Sequence, residues 1–286
     1  MSNSDVTIII ITLNDMHRDL DSFFLSLIQN NPAEIIVVDG GSYDGTIEIS
    51  KKYTKSVYVI NPGMSQQHIF ALSKVKTKYV LITSTNKFTP VGLLSKLKNE
   101  YQNNNCFGVH AKIKCKFETN FLEKGKKIQM MFLETNKKYN DFPTGPCLFE
   151  TKKYTDFTKE LNNSIQSSGF AIDTIRADFL KKKKYKILYS EKHAILHEKL
   201  SFKTYIKKII SYGEGDLFYF NKNKLHWSYY RKLLSLTHVL RRYVFYFPFK
   251  CIFIPKFYVA IPFFLMVAVF RYYGFFKALL NKNFSG

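Results

Sequence analysis

The sequence predicts an α/β fold: a mostly parallel sheet flanked by helices, followed by an apolar helical appendage. Three observations carry that prediction. Short β-branched runs alternate with helix-period segments four times in roughly the first hundred residues, a βαβ rhythm that builds parallel sheets. The runs are continuously apolar rather than alternating, as in strands buried on both faces. From Trp227 onward the texture becomes aromatic and apolar, with few charges.

The first strand is expected over Val6 to Leu13, and a helix over Asp19 to Ile28, where Leu20, Phe23, Phe24, Leu27 and Ile28 recur at helical spacing. Asn30-Asn31-Pro32 ends it. Glu34 to Asp39 is the second strand, Gly40-Gly41-Ser42 the turn, and Asp44 is placed to cap a helix through Tyr53. A strand over Val57 to Ile60, a helix over Ser65 to Lys74 and a strand over Tyr79 to Thr83 follow. Pro90 then opens a helix to Tyr101. In such sheets ligands sit beyond the carboxyl ends of the strands. Those ends are here Asn14, Asp39 and Thr83 to Thr85. Downstream, strands are expected over Phe107 to Phe117, Ile128 to Leu133, Gly145 to Phe149 and Tyr185 to Tyr189. Helices are expected from Lys152, over Ile172 to Lys183 and over Ser201 to Phe220.

With 46% hydrophobic and 23% charged residues, disordered and fibrous classes are excluded. The charge of +21 is uneven. Residues 1–50 hold eight acidic side chains and one basic one, Arg18, for a net of −7; the other 236 residues carry +28. A basic remainder points to a polyanionic neighbour. Four cysteines without metal-ligand spacing read as buried apolar groups in a reducing compartment, and MSNSDVTIII lacks the basic start of a secretory signal, so the active domain is expected to be cytoplasmic. Between Tyr243 and Phe270 the only charges are Lys250 and Lys256. The uncharged run Phe257 to Phe270 falls short of the ~20 residues a span needs, so a span, a shallow membrane helix and a buried helix pair all remain open. Contiguous aromatics such as Tyr243, Phe245, Tyr246, Phe247 and Phe249 suit an anionic membrane interface better than nucleic acid. The expected organisation is thus residues 1–222 as the α/β domain and 223–286 as a basic, aromatic, membrane-associating segment.

Taken alone, Asp39 with two glycines is an ordinary strand–turn–helix corner, or a carboxylate that accepts hydrogen bonds from a nucleoside. The longer pattern is more specific. A first strand ending in Thr12-Leu13-Asn14, followed by EIIVVDGGSYDGT from Glu34 to Thr46, resembles the family 2 glycosyltransferases with the GT-A fold. The resemblance runs from about Val6 to Gly215. It implies that Thr12, Asn14 and Asp39 line the nucleoside pocket of a nucleotide-sugar donor, with Ser42 nearby.

The family's Asp-x-Asp, which holds a divalent cation on the donor diphosphate, aligns with Thr83-Ser84-Thr85. Hydroxyls are weak ligands for Mg²⁺ or Mn²⁺. Three consequences stay open: other groups hold the metal, Lys87 or His197 neutralises the diphosphate directly, or activity is lost. Ile69 and Ala71 also depart from positions the family keeps polar or small. On the acceptor side Asp173 matches the family's catalytic base, with Ile172 where a glutamate is usual and Asp178 as the fallback; a lone aspartate there is otherwise a helix cap. His197 matches a position contributing to metal or diphosphate binding in part of the family, and Gly145 matches an acceptor-side strand. The resemblance implies a membrane-associated, inverting transfer of a sugar to a lipid-linked or glycan acceptor. The competing reading is a degenerate GT-A domain that binds a nucleotide or a partner enzyme without catalysis.

Overall fold

The computed structural model describes residues 3–133, 139–140, 145–164, 172–196 and 199–281. They form two compact units. The first contains Met1–Lys116, Asn136–Gly169 and Arg176–Glu198; the second contains Phe117–Thr135, Phe170–Ile175 and Lys199–Gly286.

The first unit begins with β1 (Asn3–Thr12), α1 (Leu20–Ile28), β2 (Pro32–Asp39), α2 (Thr46–Tyr53), β3 (Ser56–Val59), α3 (Met64–Lys74) and β4 (Tyr79–Thr83). These match the sequence expectations to within three residues, the largest difference being the start of β1 at Asn3 instead of Val6. Asp19 caps α1 by accepting the Ser22 amide, and the helix buries Leu20, Phe23, Phe24 and Leu27. Val6, Ile8, Ile10, Val37 and Leu81 form a shared core with that face. Two expectations are corrected locally. Asp44 stands one residue ahead of the cap position of α2, which Gly45 holds at φ +96°; its Oδ1 still accepts the amide of Thr46, the first helical residue (3.1 Å), while its Oδ2 accepts Met16 N (3.0 Å). Pro90 does not open the next helix. A two-residue strand, β5 (Lys87–Phe88), and a left-handed turn at Gly92 (φ +75°) precede α4 (Leu93–Asn103).

Then come β6 (Gly108–Cys115), α5 (Phe121–Leu133), β7 (Tyr139–Asn140), β8 (Cys147–Glu150), α6 (Thr151–Ser164), α7 (Ile172–Lys182) and β9 (Ile187–Leu196). The strand expected over Ile128 to Leu133 is the second half of α5. Leu122, Ile128 and Phe132 are buried one or two turns apart, and Glu123 accepts amide bonds from Thr119 and Asn120 at the helix start. The sheet runs β3-β2-β1-β4-β8-β6-β9-β5, with β7 beside β9. It is parallel from β3 to β4, as the βαβ rhythm requires. It turns antiparallel at β8, which pairs antiparallel with both β4 and β6. The sheet is therefore mixed, and the mostly parallel expectation holds for its first half.

The second unit holds α5, α8 (Phe202–Asn223), α9 (Tyr229–Leu236), a π-helical stretch Leu240–Tyr246, α10 (Phe247–Ile252), a 3₁₀ turn Pro255–Ala260 and α11 (Ile261–Leu280). Ser201 caps α8 through the Thr204 amide. Its core is aromatic, with Phe247, Phe263 and Phe264 fully enclosed. Gly213 on α8 and Gly274 on α11 let the two backbones touch: a Cβ on Gly213 would collide with the Arg271 carbonyl oxygen, and one on Gly274 with that of Ile210. Arg271 forms a two-pronged ion pair with Asp216, at 2.6 and 2.8 Å. Lys256–Leu280, 25 residues with a mean hydropathy of 1.7, is the one segment among the described residues long and apolar enough to cross a membrane, and a third of its most apolar stretch is buried. The helix outruns the uncharged stretch because it continues past Arg271, whose charge is paired.

Candidate functional site

The carboxyl ends of β1, β2 and β4 bring their loops together. Asp39 ends β2 and is completely buried. Its Oδ2 accepts from the hydroxyls of Thr12 and Ser42, both at 2.7 Å, and its Oδ1 accepts from the amides of Gly41 (2.8 Å) and Ser42 (2.6 Å). Four donors on one carboxylate make the bend after β2 rigid. Gly41 supplies the positive φ, +89°, that this bend needs. Gly40 is small for a different reason, since its Cβ would lie 3.3 Å from Leu13 Cδ1 and from Pro62.

The loop after β1 is tied to the same bend. Asn14 adopts φ +53°, a left-handed conformation that asparagine tolerates. Its amide donates to Ser42 Oγ (2.7 Å), and its Oδ1 accepts from Tyr43 N (3.2 Å). The Asp15 amide donates to Thr46 Oγ1 (2.9 Å). Thus Thr12, Asn14, Asp39 and Ser42, four residues expected to line a nucleoside pocket, form one hydrogen-bonded cluster. Gln67, which the sequence reading did not single out, closes it from α3: its Nε2 donates to the carbonyls of Thr12 (3.1 Å) and Val38 (2.9 Å). On the same helix Ala71 is fully buried against the core, while Ile69 is half-buried. Tyr43 projects from the bend and is 90% exposed.

At the end of β4, Thr83 is buried and its hydroxyl has no partner among the described residues. Thr85 is buried as well. It donates to Asp15 Oδ2 (2.9 Å) and accepts from Arg18 Nη1. Arg18 Nη1 also pairs with Asp15 Oδ1 at 3.0 Å. Burial pushes the Asp15 carboxyl above its ordinary value, against the lowering effects of Arg18 and the Thr85 bond. The divalent cation implied by the resemblance does not fit this donor set. The two threonine oxygens are neutral, that of Thr85 is already engaged, and the nearest carboxylate is buried beside a guanidinium that would repel a cation. Among the described residues no group of three His, Cys, Asp or Glu side chains could hold a metal ion.

Gly145 is drawn to β6. Its amide donates to His110 Nε2 (2.6 Å), and a Cβ there would come within 2.7 Å of the Ala111 carbonyl. Burial, aided by the charge of Lys87, lowers the His110 pKa to about 3, so the ring is neutral with its proton on Nδ1. Lys87 itself bonds Ser84 Oγ at 2.7 Å. Asp173 is the second residue of α7, and Asp178 lies further along it. The Asp173 side chain and all of His197 lie outside the described residues. Besides Gln67, the sequence reading gave no site role to Asp15, Arg18 or His110. A signal existed for Arg18, the one basic residue in an acidic stretch of fifty; His110 sits in an apolar strand with nothing to mark it.

The fold is shared with a solved mannosyltransferase. The mannosyltransferase PcManGT from Pyrobaculum calidifontis, solved with GDP-Man and Mn²⁺, superposes with a TM-score of 0.56 at 12% identity, over 97% of this chain and 88% of that one. TarS residues 1–349 from S. aureus gives 0.47 at 17% identity, over 76% of this chain; the present chain spans 66% of its length. Glucosyl-3-phosphoglycerate synthase from Mycobacterium tuberculosis, in complex with phosphoglyceric acid, gives 0.47 at 13%, over 72% of this chain and 78% of that one. No curated protein matches the sequence. Residues 7–160, more than half the chain and including the whole Thr12–Asp39–Thr85 region, match Glycosyl transferase family 2, and the chain belongs to that family.

Proposed function

We propose that this chain is a membrane-associated glycosyltransferase that moves a sugar from a nucleotide-sugar donor to a lipid-linked or glycan acceptor with inversion. The observation that carries the proposal is the cluster Thr12, Asn14, Asp39 and Ser42 at the carboxyl ends of β1 and β2, where open α/β sheets bind ligands. In this reading the cluster receives the nucleoside. Because both Asp39 oxygens are engaged, an incoming ribose or base donor replaces the Thr12 or Ser42 hydroxyl on Oδ2, while the two amides on Oδ1 keep the bend in place. Tyr43, exposed beside it, offers a ring on which a base can stack.

Transfer itself would be a single displacement. Asp173 takes the proton of the acceptor hydroxyl as its oxygen forms a bond to the anomeric carbon, and the nucleoside diphosphate leaves with the electrons of the broken bond. One displacement inverts the anomeric configuration. By the resemblance Gly145 belongs to the acceptor side, where its lack of a side chain lets the backbone pack directly on His110 and Ala111. The membrane part of the proposal is supported by the second unit, whose exposed side chains include Phe245, Phe249, Phe253, Val259, Val269 and Leu280. So large an apolar surface on a basic segment favours a bilayer neighbour.

The deciding experiment is binding and transfer with a panel of UDP-, GDP- and dTDP-sugars, using membrane extract as acceptor. Binding to one donor class and transfer abolished by Asp173→Asn, with binding retained, supports the proposal; no binding to any donor refutes it. The second reading, a non-catalytic domain that binds a nucleotide or partner enzyme, is favoured by Thr83 and Thr85 where carboxylates would serve a metal. Binding without turnover would establish it.

A further inference from the structure

We propose that Arg18 is the cationic anchor for the donor diphosphate, supplying from the β1–α1 loop the positive charge that a divalent cation would otherwise bring. The inference rests on the nucleotide-sugar reading above and adds to it the residue that holds the phosphates and the absence of a metal requirement.

Three observations lead to it. The first is placement. Arg18 sits in the loop that follows β1 and bonds Thr85, in the loop that follows β4; β1 and β4 are adjacent and parallel, so the guanidinium lies between two carboxyl strand ends. The second is how it is held. A guanidinium has five N–H donors in a planar fork. Asp15 Oδ1 and Thr85 Oγ1 both engage Nη1. Thr85 in turn donates to Asp15 Oδ2, which locks the three side chains together. One nitrogen is thus tethered, and Nε and Nη2 have no partner among the described residues. Nε is buried without one. That pair is the edge with which arginine grips a phosphate through two parallel hydrogen bonds. A buried N–H without an acceptor is costly, and a phosphate oxygen would satisfy it.

The third observation is charge. The first fifty residues hold eight acidic groups and no other lysine or arginine, so Arg18 is the cation that the β1 and β2 ends themselves offer a dianionic diphosphate, while Lys87, beyond β4, is bonded to Ser84. The arrangement that repels a metal ion therefore suits the anion the metal would have carried.

The test is titration of the full chain with UDP, GDP and dTDP, with inorganic pyrophosphate, and, by NMR for weak ligands, with the parent nucleosides, each in EDTA and in Mn²⁺. The variants are Arg18→Gln, Arg18→Lys and the double variant Arg18→Gln/Asp15→Asn, which leaves no lone buried charge and so guards against misfolding. Arg18→Gln and the double variant should weaken the preferred diphosphate and pyrophosphate on the order of ten- to a hundredfold, with nucleoside affinity unchanged within about twofold. Arg18→Lys should fall between, and the wild-type affinity should be the same in EDTA as in Mn²⁺. Equal loss for nucleoside and diphosphate would mean Arg18 only shapes the loop, and would overturn the proposal; so would a double variant that binds diphosphate like wild type, or wild-type binding that needs Mn²⁺. If the wild-type chain binds neither any nucleoside diphosphate nor pyrophosphate, the donor reading falls and this inference with it.

Discussion

Replacing Asp39 tests the idea that one buried carboxylate organises the candidate site. In Asp39→Ala the amides of Gly41 and Ser42 and the hydroxyls of Thr12 and Ser42 lose their common acceptor. The hydroxyls can rotate toward other acceptors, but the two amides are fixed by the backbone. At ~1–3 kcal/mol for each donor left without a partner, the two amides together cost about 2–6 kcal/mol. Asp39→Asn is gentler. Its carbonyl can keep both amides and its NH₂ can donate to the two hydroxyl oxygens, so only the charge assistance is lost, roughly 1–2 kcal/mol. Urea unfolding followed by far-UV circular dichroism measures both, and calorimetry with the preferred nucleoside diphosphate measures the site. The alanine variant should lose stability and donor affinity, and the asparagine variant should retain most of the stability. An alanine variant within about 1 kcal/mol of wild type would show that the bend does not depend on the carboxylate, and would refute the reasoning.

The pH dependence follows from two buried histidines, His68 and His110, both lowered to about 3 chiefly by burial. An unfolded histidine titrates near ~6.5, so between these values the unfolded chain binds more protons. Their contribution is complete above about pH 6.5 and falls below it by up to roughly 1.4 kcal/mol per pH unit for each ring. Denaturation curves at about pH 7 and about pH 5 should show this slope, and His110→Gln should flatten it; a flat wild-type profile would contradict the assignment. Gly274→Ala places a methyl group on the Ile210 carbonyl and should destabilise the second unit by about 1–3 kcal/mol or more. Fluorescence of the single tryptophan, Trp227, which packs against Tyr219 and Phe220 in that unit, reports the midpoint, and an unchanged midpoint would mean the helices have room to part. For the proposed membrane role, cosedimentation should favour anionic over neutral vesicles, with about 1 kcal/mol per basic residue near the surface. Phe249→Ser/Phe253→Ser should weaken it, and equal recovery with both vesicle types would count against the basic face.

Much of the first unit was readable before any coordinates. β1 to β4 and their helices follow from period and composition alone, because a strand buried on both faces must be apolar throughout and a helix on its flank must be apolar every third or fourth residue. Of the cluster, Asn14 and Asp39 were readable as strand ends of a βαβ sheet, whereas Thr12 and Ser42 joined them only through the resemblance to family 2 glycosyltransferases. Local pattern was not enough where two periods compete. Ile128 to Leu133 contains enough apolar residues for a strand, and only its packing with Leu122, one helical face away, makes it part of α5. Asp44 does serve the start of α2, through the Thr46 amide, but the structure puts Gly45 at the cap position and adds a distant partner, the Met16 amide, on the second carboxylate oxygen.

The sequence by itself determined the alternation of strands and helices, the acidic first fifty residues, and the glycine-bounded carboxylate at the end of β2. Those are properties of nearest neighbours along the chain, and local sterics and burial decide them. Only the tertiary structure decided that β8 would enter the sheet antiparallel, that Gly145 would lie on His110, and that Arg18 would meet Asp15 and Thr85. Arg18 and Thr85 are 67 positions apart. No periodicity links residues at such a distance, and the hydrogen bonds between them exist because the parallel pairing of β1 with β4 brings their two loops to the same edge of the sheet.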